Sequence, residues 1–109
     1  MTKDDVENKF PLGSRVKIIN EEAEGGDFYE NDLGYVRGYE YNDEYDEEED
    51  RYYDSYRVLI EMDDYIIDCS GEEVGHNGEG QGKDGKCWYF CLDDIKLAGK
   101  TNVNSKILL

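Results

Sequence analysis

Cys69, His76, Cys87 and Cys91 are the ligand types of a closed tetrahedral zinc site, three thiolates and an imidazole. Their spacing works against one. On an extended strand Cys87 and Cys91 lie about 13 Å apart at ~3.3 Å per residue, too far for one ion with bonds of about 2.3 Å unless a bulge or turn intervenes. The alternative role for the cysteines is that of small core residues. His76, set in a glycine-rich stretch, is expected to be solvated. With a single histidine and no local motif setting a serine or cysteine against it, a nucleophilic triad has no support.

Two further patterns raise and then fail a chemical test. "GQGKDGKC", Gly80 to Cys87, has the spacing of a phosphate loop, but Cys87 stands where Ser or Thr would reach magnesium. A phosphate loop must also open a helix, and the following "CWYFCL" reads as a strand. Starting a calcium loop at Asp43 puts Tyr45 at the third position and Glu48 at the sixth, where an oxygen ligand and a glycine are required. Nothing selects one pair of carboxylates for glycoside chemistry. The expectation is a binding protein with no catalytic residues, no cofactor and no metal.

The binding chemistry is concentrated in "EYNDEYDEEED", residues 40–50, with eight acids and no base. Blocks of like charge are commonly solvated and need no partner to explain them. The surroundings argue for more. Residues 21–73 hold 21 of the 28 acids and only three bases, Arg37, Arg51 and Arg57, whereas the rest of the chain carries nine bases against seven acids. Such a segregated field repels nucleic acid and anionic membranes and attracts cations and basic proteins. Nine of the ten tyrosines fall between positions 29 and 65. A solvating tail avoids aromatics, whereas interfaces are enriched in tyrosine, which offers rigid apolar area and one hydroxyl. The candidate partner-binding residues are Glu40, Tyr41, Asp43, Glu44, Tyr45, Asp46, Glu47, Glu48, Glu49, Asp50, Tyr52, Tyr53 and Asp54. Tyr39 is a further contact candidate, and Tyr35, Tyr56 and Tyr65 are assigned to core or sheet.

Elements to carry these residues are short strands. "SRVKIIN" alternates, with Val16 and Ile18 on one face; "LGYVRGYEY" has glycines at 34 and 38 that mark a bulge or bend; "YRVLIEM" puts Tyr56, Val58, Ile60 and Met62 in one phase. "YIIDC", "KCWYFCL" and a last strand after "DD" complete the series. The expected core is Val16, Ile18, Val36, Val58, Ile60, Trp88 and Ile95. Residues 2–9 form a short helical stretch capped by Thr2 and stopped at Pro11. The six glycines between 71 and 85 suggest a mobile surface loop. At 109 residues the chain fits one domain: an N-terminal extension or helical turn (1–12), a β-domain (13–99) with an acidic insert (40–55) and a glycine-rich loop (71–86), and a C-terminal tail (100–109). Three cysteines, an odd number, and an N-terminus without an apolar export segment point to the cytoplasm.

The order "GSRVKII", "LGYVRGY", "YRVLIEMD", "WYFCLDDIKL" resembles the small SH3-like barrels, including KOW-type modules, over residues 13–41 and 56–98. That likeness implies an all-β, SH3-like barrel with a tight helical turn before the last strand. The chain departs from the pattern in its long acidic hairpin or loop insertion and in lacking a basic surface, so nucleic-acid binding is not carried over. In composition it resembles the small acidic DNA-mimic inhibitors encoded by bacteriophages, which occupy the DNA sites of restriction, repair, nucleoid or CRISPR proteins. The likeness implies a basic nucleic-acid-binding protein as partner, no direct contact with nucleic acid or membrane, a monomer or homodimer, and action in the host cytoplasm. The alternative is an accessory adaptor domain whose acidic loop only solubilises it. An ordered acidic element favours the first reading and a scattered one the second.

Overall fold

A computed structural model of the chain describes residues 2–20 and 28–98, the side chains of 42–44 and 52–54 excepted. The C-terminal tail, 100–109, lies outside the described residues. The chain begins with helix α1, Lys3–Lys9. Thr2 Oγ1 accepts the Asp5 amide at 3.2 Å and the Asp5 carboxylate accepts the Thr2 amide at 2.9 Å, a reciprocal cap that satisfies two otherwise orphaned donors. The helix does more than extend the domain. Val6 and Phe10, just past its end, are fully buried, so the N-terminal segment closes one side of the core.

Among the described residues five strands follow: β1 (Arg15–Ile18), β2 (Leu33–Asp46), β3 (Arg51–Met62), β4 (Cys87–Cys91) and β5 (Ile95–Leu97), with one 3-10 turn at Leu92–Asp94 between the last two. All pair antiparallel in a single sheet of order β4-β3-β2-β1-β5. The structure is thus mostly β. The expected barrel is not closed by hydrogen bonding, because β4 and β5 end the sheet without pairing to each other. Among the described residues, no helix is long and apolar enough to cross a membrane.

A bulge in β2 sets the phase of everything beyond it. Val36 pairs with Ile60 and Gly38 with Leu59, leaving Arg37 as the extra residue. One inserted residue reverses the alternation. Val36 and Tyr39 therefore both face the core, although strict period two would separate them. Earlier in the same strand, a Cβ on Gly34 would come within 2.6 Å of Ile60 Cγ2 and 2.7 Å of the Glu61 carbonyl, so only glycine permits that crossing.

The core gathers Val16, Ile18, Val36, Val58, Ile60 and Ile95, each no more than 2% exposed, with Val6, Phe10, Phe28, Met62, Ile66 and Phe90. Trp88 lies at its edge, half-buried, with its ring 6.1 Å from that of Phe28. Phe28 also meets Phe90 edge-on at 4.9 Å.

The segment 71–86 differs from the loose loop its glycines suggested. It folds back across the outer face of β3 and β4, where Leu59 and Cys87 are fully buried on the side away from the main core. Gly78 lies against the Leu59 side chain, Gly82 against Cys87 Sγ and Gly75 against the backbone of Gly85, positions with no room for a Cβ. A bridge pairs His76 with Cys87, and Glu61 accepts the Lys83 amide at 2.8 Å. "YIIDC" is likewise not a strand. Ile66 is buried and donates its amide to Gly85, Val74 donates to Ile66, and Ile67 bridges Glu73, so these residues serve the cover.

Candidate interaction site: the acidic arm

The body of the sheet ends before β2 and β3 do. β1 pairs with β2 only over Leu33–Tyr35, and β4 pairs with β3 only over Arg57–Glu61. Beyond Glu40 and Arg57 the two strands continue as a two-stranded ribbon, pairing Tyr41 with Tyr56, Asn42 with Ser55, Asp43 with Asp54, Glu44 with Tyr53, Tyr45 with Tyr52 and Asp46 with Arg51. At ~3.3 Å per residue, the six steps from Glu40 to Asp46 carry the tip about 20 Å from the arm's root.

The tip is a built turn. Asp46 Oδ1 accepts the amides of Glu48 at 2.9 Å and Glu49 at 3.3 Å, the Asx arrangement that lets an aspartate nucleate a reversal of the chain. Asp50 takes a left-handed φ of 52°, which aspartate tolerates better than bulkier residues. Across the tip the Tyr45 hydroxyl donates to the Asp50 carboxylate, and this bond raises the tyrosine's pKa. Arg51 Nε stands 2.8 Å from Glu49, while Arg57 stands 3.6 Å from Glu40 at the root. Both arginines of the ribbon are thus engaged at its ends. Between them, positions 41–45 and 52–56 hold three acids and no base, and the register sets Asp43 opposite Asp54. Like charges directly opposite destabilise a strand pair.

Of the residues chosen from the sequence, Glu47, Glu48, Glu49 and Asp50 are exposed at the tip, Asp46 and Asp50 also shape it, and Glu40 is half-buried at the root. Tyr41 is 54% exposed, its ring 5.1 Å from that of Tyr56, and Tyr45 is 46% exposed. Side chains of Asp43, Glu44, Tyr52, Tyr53 and Asp54 lie outside the described residues, though backbone pairing places all five on the ribbon. Tyr39 is corrected from contact candidate to core support: the bulge turns it inward, its hydroxyl donates to the Phe10 carbonyl at 2.5 Å, and burial raises its pKa. Tyr35, assigned to core or sheet, is a sheet residue of β2 with an exposed side chain, whereas Tyr65, assigned likewise, lies outside the strands and is exposed. Tyr35 lies beneath the guanidinium groups of Arg15 and Arg37, at 4.3 and 5.2 Å, and Tyr65 lies beneath Lys83 and Lys86.

The sequence reading missed a groove at the arm's root, lined by Lys3, Val6, Tyr39, Glu40, Tyr41 and Tyr56. Its only sequence signal was Val6 in a short helix, and the approach of α1 to β2 and β3 is a tertiary fact.

The other chemical candidates are dispersed. Cys69 and Cys91 are exposed and Cys87 is buried, which corrects their joint assignment to the core. His76 is half-buried, its ring near those of Trp88 and Tyr89, and its Nδ1 accepts the Gly78 amide at 2.9 Å. Burial, helped by Glu61, pushes the Cys87 thiol up to about 11, which leaves it un-ionised at neutral pH. Among the described residues no group of three His, Cys, Asp or Glu side chains is placed to hold a metal ion. The phosphate-loop spacing leads into β4, a strand, as the aromatic run predicted. No protein-family model, no curated protein and no solved structure matches the chain.

Proposed function

We propose that this protein is an acidic DNA mimic that blocks a basic nucleic-acid-binding protein, using the β2–β3 arm as its contact element. One observation carries the reading: the acids of residues 40–54 lie on one hydrogen-bonded ribbon with a built turn, projecting past the body of the sheet. Residues i and i+2 of a strand lie about 6.7 Å apart at ~3.3–3.4 Å per residue. DNA presents a charge about every 3.4 Å along each strand. A twisted ribbon with acids on both strands therefore offers a groove built for DNA a comparably dense row of negative charge. The exposed tyrosines supply the apolar contact that a charge array alone lacks. The solubilising-adaptor reading has less support, since a segment that only keeps the protein dissolved needs neither register nor an aspartate-nucleated turn.

The body that carries the arm is read as an SH3-like barrel left open at its ends. Pairing of the first strand with the last and the single 3-10 turn before β5 support this. Action in the host cytoplasm of an infected bacterium, as monomer or homodimer, belongs to the same proposal.

Capture tests it. Protein immobilised through its C-terminus should retain basic nucleic-acid-binding proteins from a bacterial lysate. A variant with Asp43, Glu44, Glu47, Glu48, Glu49 and Asp54 changed to the corresponding amides should lose them while keeping its fold. Equal retention by the two removes the arm from the reading.

A further inference from the structure

We infer that the groove at the arm's root is an anchor pocket for one apolar side chain, Leu, Ile, Met or Phe, on a partner segment whose neighbouring residues are Lys and Arg. The inference rests on the acidic-arm reading and names the chemistry of its partner. The groove is an open one of about 430 Å³ between α1, β2 and β3, a volume that falls within the ~300–1,000 Å³ range of small-molecule sites. Buried Val6 and half-buried Tyr39 are among its linings, Tyr39 being fixed by its bond to Phe10. The contacting rings of Tyr41 and Tyr56 form another part of the lining.

Its charges are balanced from within. Lys3 stands 3.8 Å from Glu7, and Glu40 stands 3.6 Å from Arg57. An incoming charge therefore gains little in the groove itself, whereas an apolar group loses water against an aromatic wall. The arm begins at the same Tyr41 and carries its exposed acids outward to Glu47 and Glu48. Five strand steps from Tyr41 to Asp46 span about 17 Å at ~3.3–3.4 Å per residue. One extended segment or about three turns of helix, at ~5.4 Å per turn, covers that distance with its anchor in the groove and its bases along the arm. A second copy docking arm to arm does not fit the role, because it would bring a segment carrying 21 acids and three bases against the arm.

Selection from a display library of short random peptides, on the full-length protein at low and physiological salt, tests the inference. The expected winners carry several Lys or Arg and one apolar residue at a fixed place. Their binding should fall about tenfold or more on Tyr41→Ala or Tyr56→Ala, the loss expected of a central anchor. Tyr41→Phe, which keeps the ring, should restore it, and amide spectra of each variant confirm an intact body. Basic winners without a fixed apolar residue, or winners that bind the two alanine variants undiminished, overturn the anchor pocket and leave the acidic-arm reading standing. Winners without enrichment in Lys or Arg overturn both.

Discussion

The hydroxyl of Tyr45 donates to the carboxylate of Asp50 across the tip of the acidic arm, joining the last turn of a ribbon that the body of the sheet does not support. A two-stranded ribbon is marginal in water by itself. Here the backbone register also pairs Asp43 with Asp54. Local bonds at the tip consequently matter more than they would inside the sheet.

Asp46 is the stronger of these supports, since its side chain accepts two amides of the turn. Asp46→Ala should destabilise the arm by about 1 kcal/mol, the usual worth of such a side-chain acceptor. Asp46→Asn, which keeps the accepting oxygen, should not. Amide exchange along 40–56 reads the difference, with protection in β1 and β4 unchanged in both.

Gly78 holds a left-handed φ of 60° with no space for a Cβ beside Leu59. Gly78→Ala should cost about 1–3 kcal/mol through backbone strain and overpacking together. It should also open the cover over Cys87. With a thiol reagent at neutral pH, exposed Cys69 and Cys91 should label quickly and buried Cys87 slowly in the parent protein, and the variant should speed Cys87 alone. For the same reason shortening 71–86 should unfold or expose the outer face of β3. A shortened chain of unchanged stability would contradict the covering role.

Arg15 clamps Asp63 through two bonds of 2.6 and 2.5 Å, which hold the Asp63 carboxyl below its ordinary pKa. A carboxyl whose folded value is depressed contributes stability that is fully present above its unfolded value, about 3.9, and is lost as pH falls through the folded one. Asp63→Asn should therefore lower the melting temperature at pH 7 and at pH 5 by the same small amount. The gap to the parent should begin to narrow below about pH 4 and vanish once the pH is below the depressed folded value. Because the pair is partly exposed, the effect is modest and shrinks in salt.

The strands' buried phase was legible wherever alternation ran unbroken, as at Val16 and Ile18 or Val58 and Ile60. It failed at Tyr39, because a bulge at Arg37 reverses the phase. The two flanking glycines marked an irregularity without giving its direction. In 71–86 glycine content was read as freedom, yet at Gly75, Gly78 and Gly82 it answers a lack of space that only the folded cover creates. Helix α1 was legible from Thr2, Asp5 and Pro11. That it plugs the core through Val6 and Phe10 was not, since about two turns of helix with Val6 as their one apolar residue show no face. The site divides in the same way. Its acids and tyrosines were visible as composition, whereas the pairing of 41–46 with 51–56 and the groove beside Val6 required the register.

Competition between the protein and duplex DNA for one basic partner tests the central claim most directly. A nucleic-acid-binding protein retained by the arm is titrated with the two, alone and together, and the amide-substituted arm variant is run beside the parent. The protein itself should bind no duplex at ordinary salt, because an acidic chain meeting a polyanion releases no counterions. The account predicts that excess duplex displaces the parent from the partner, that the parent displaces duplex in turn, and that the variant does neither. Simultaneous binding of duplex and parent to the partner, or equal competition by the variant, would contradict it.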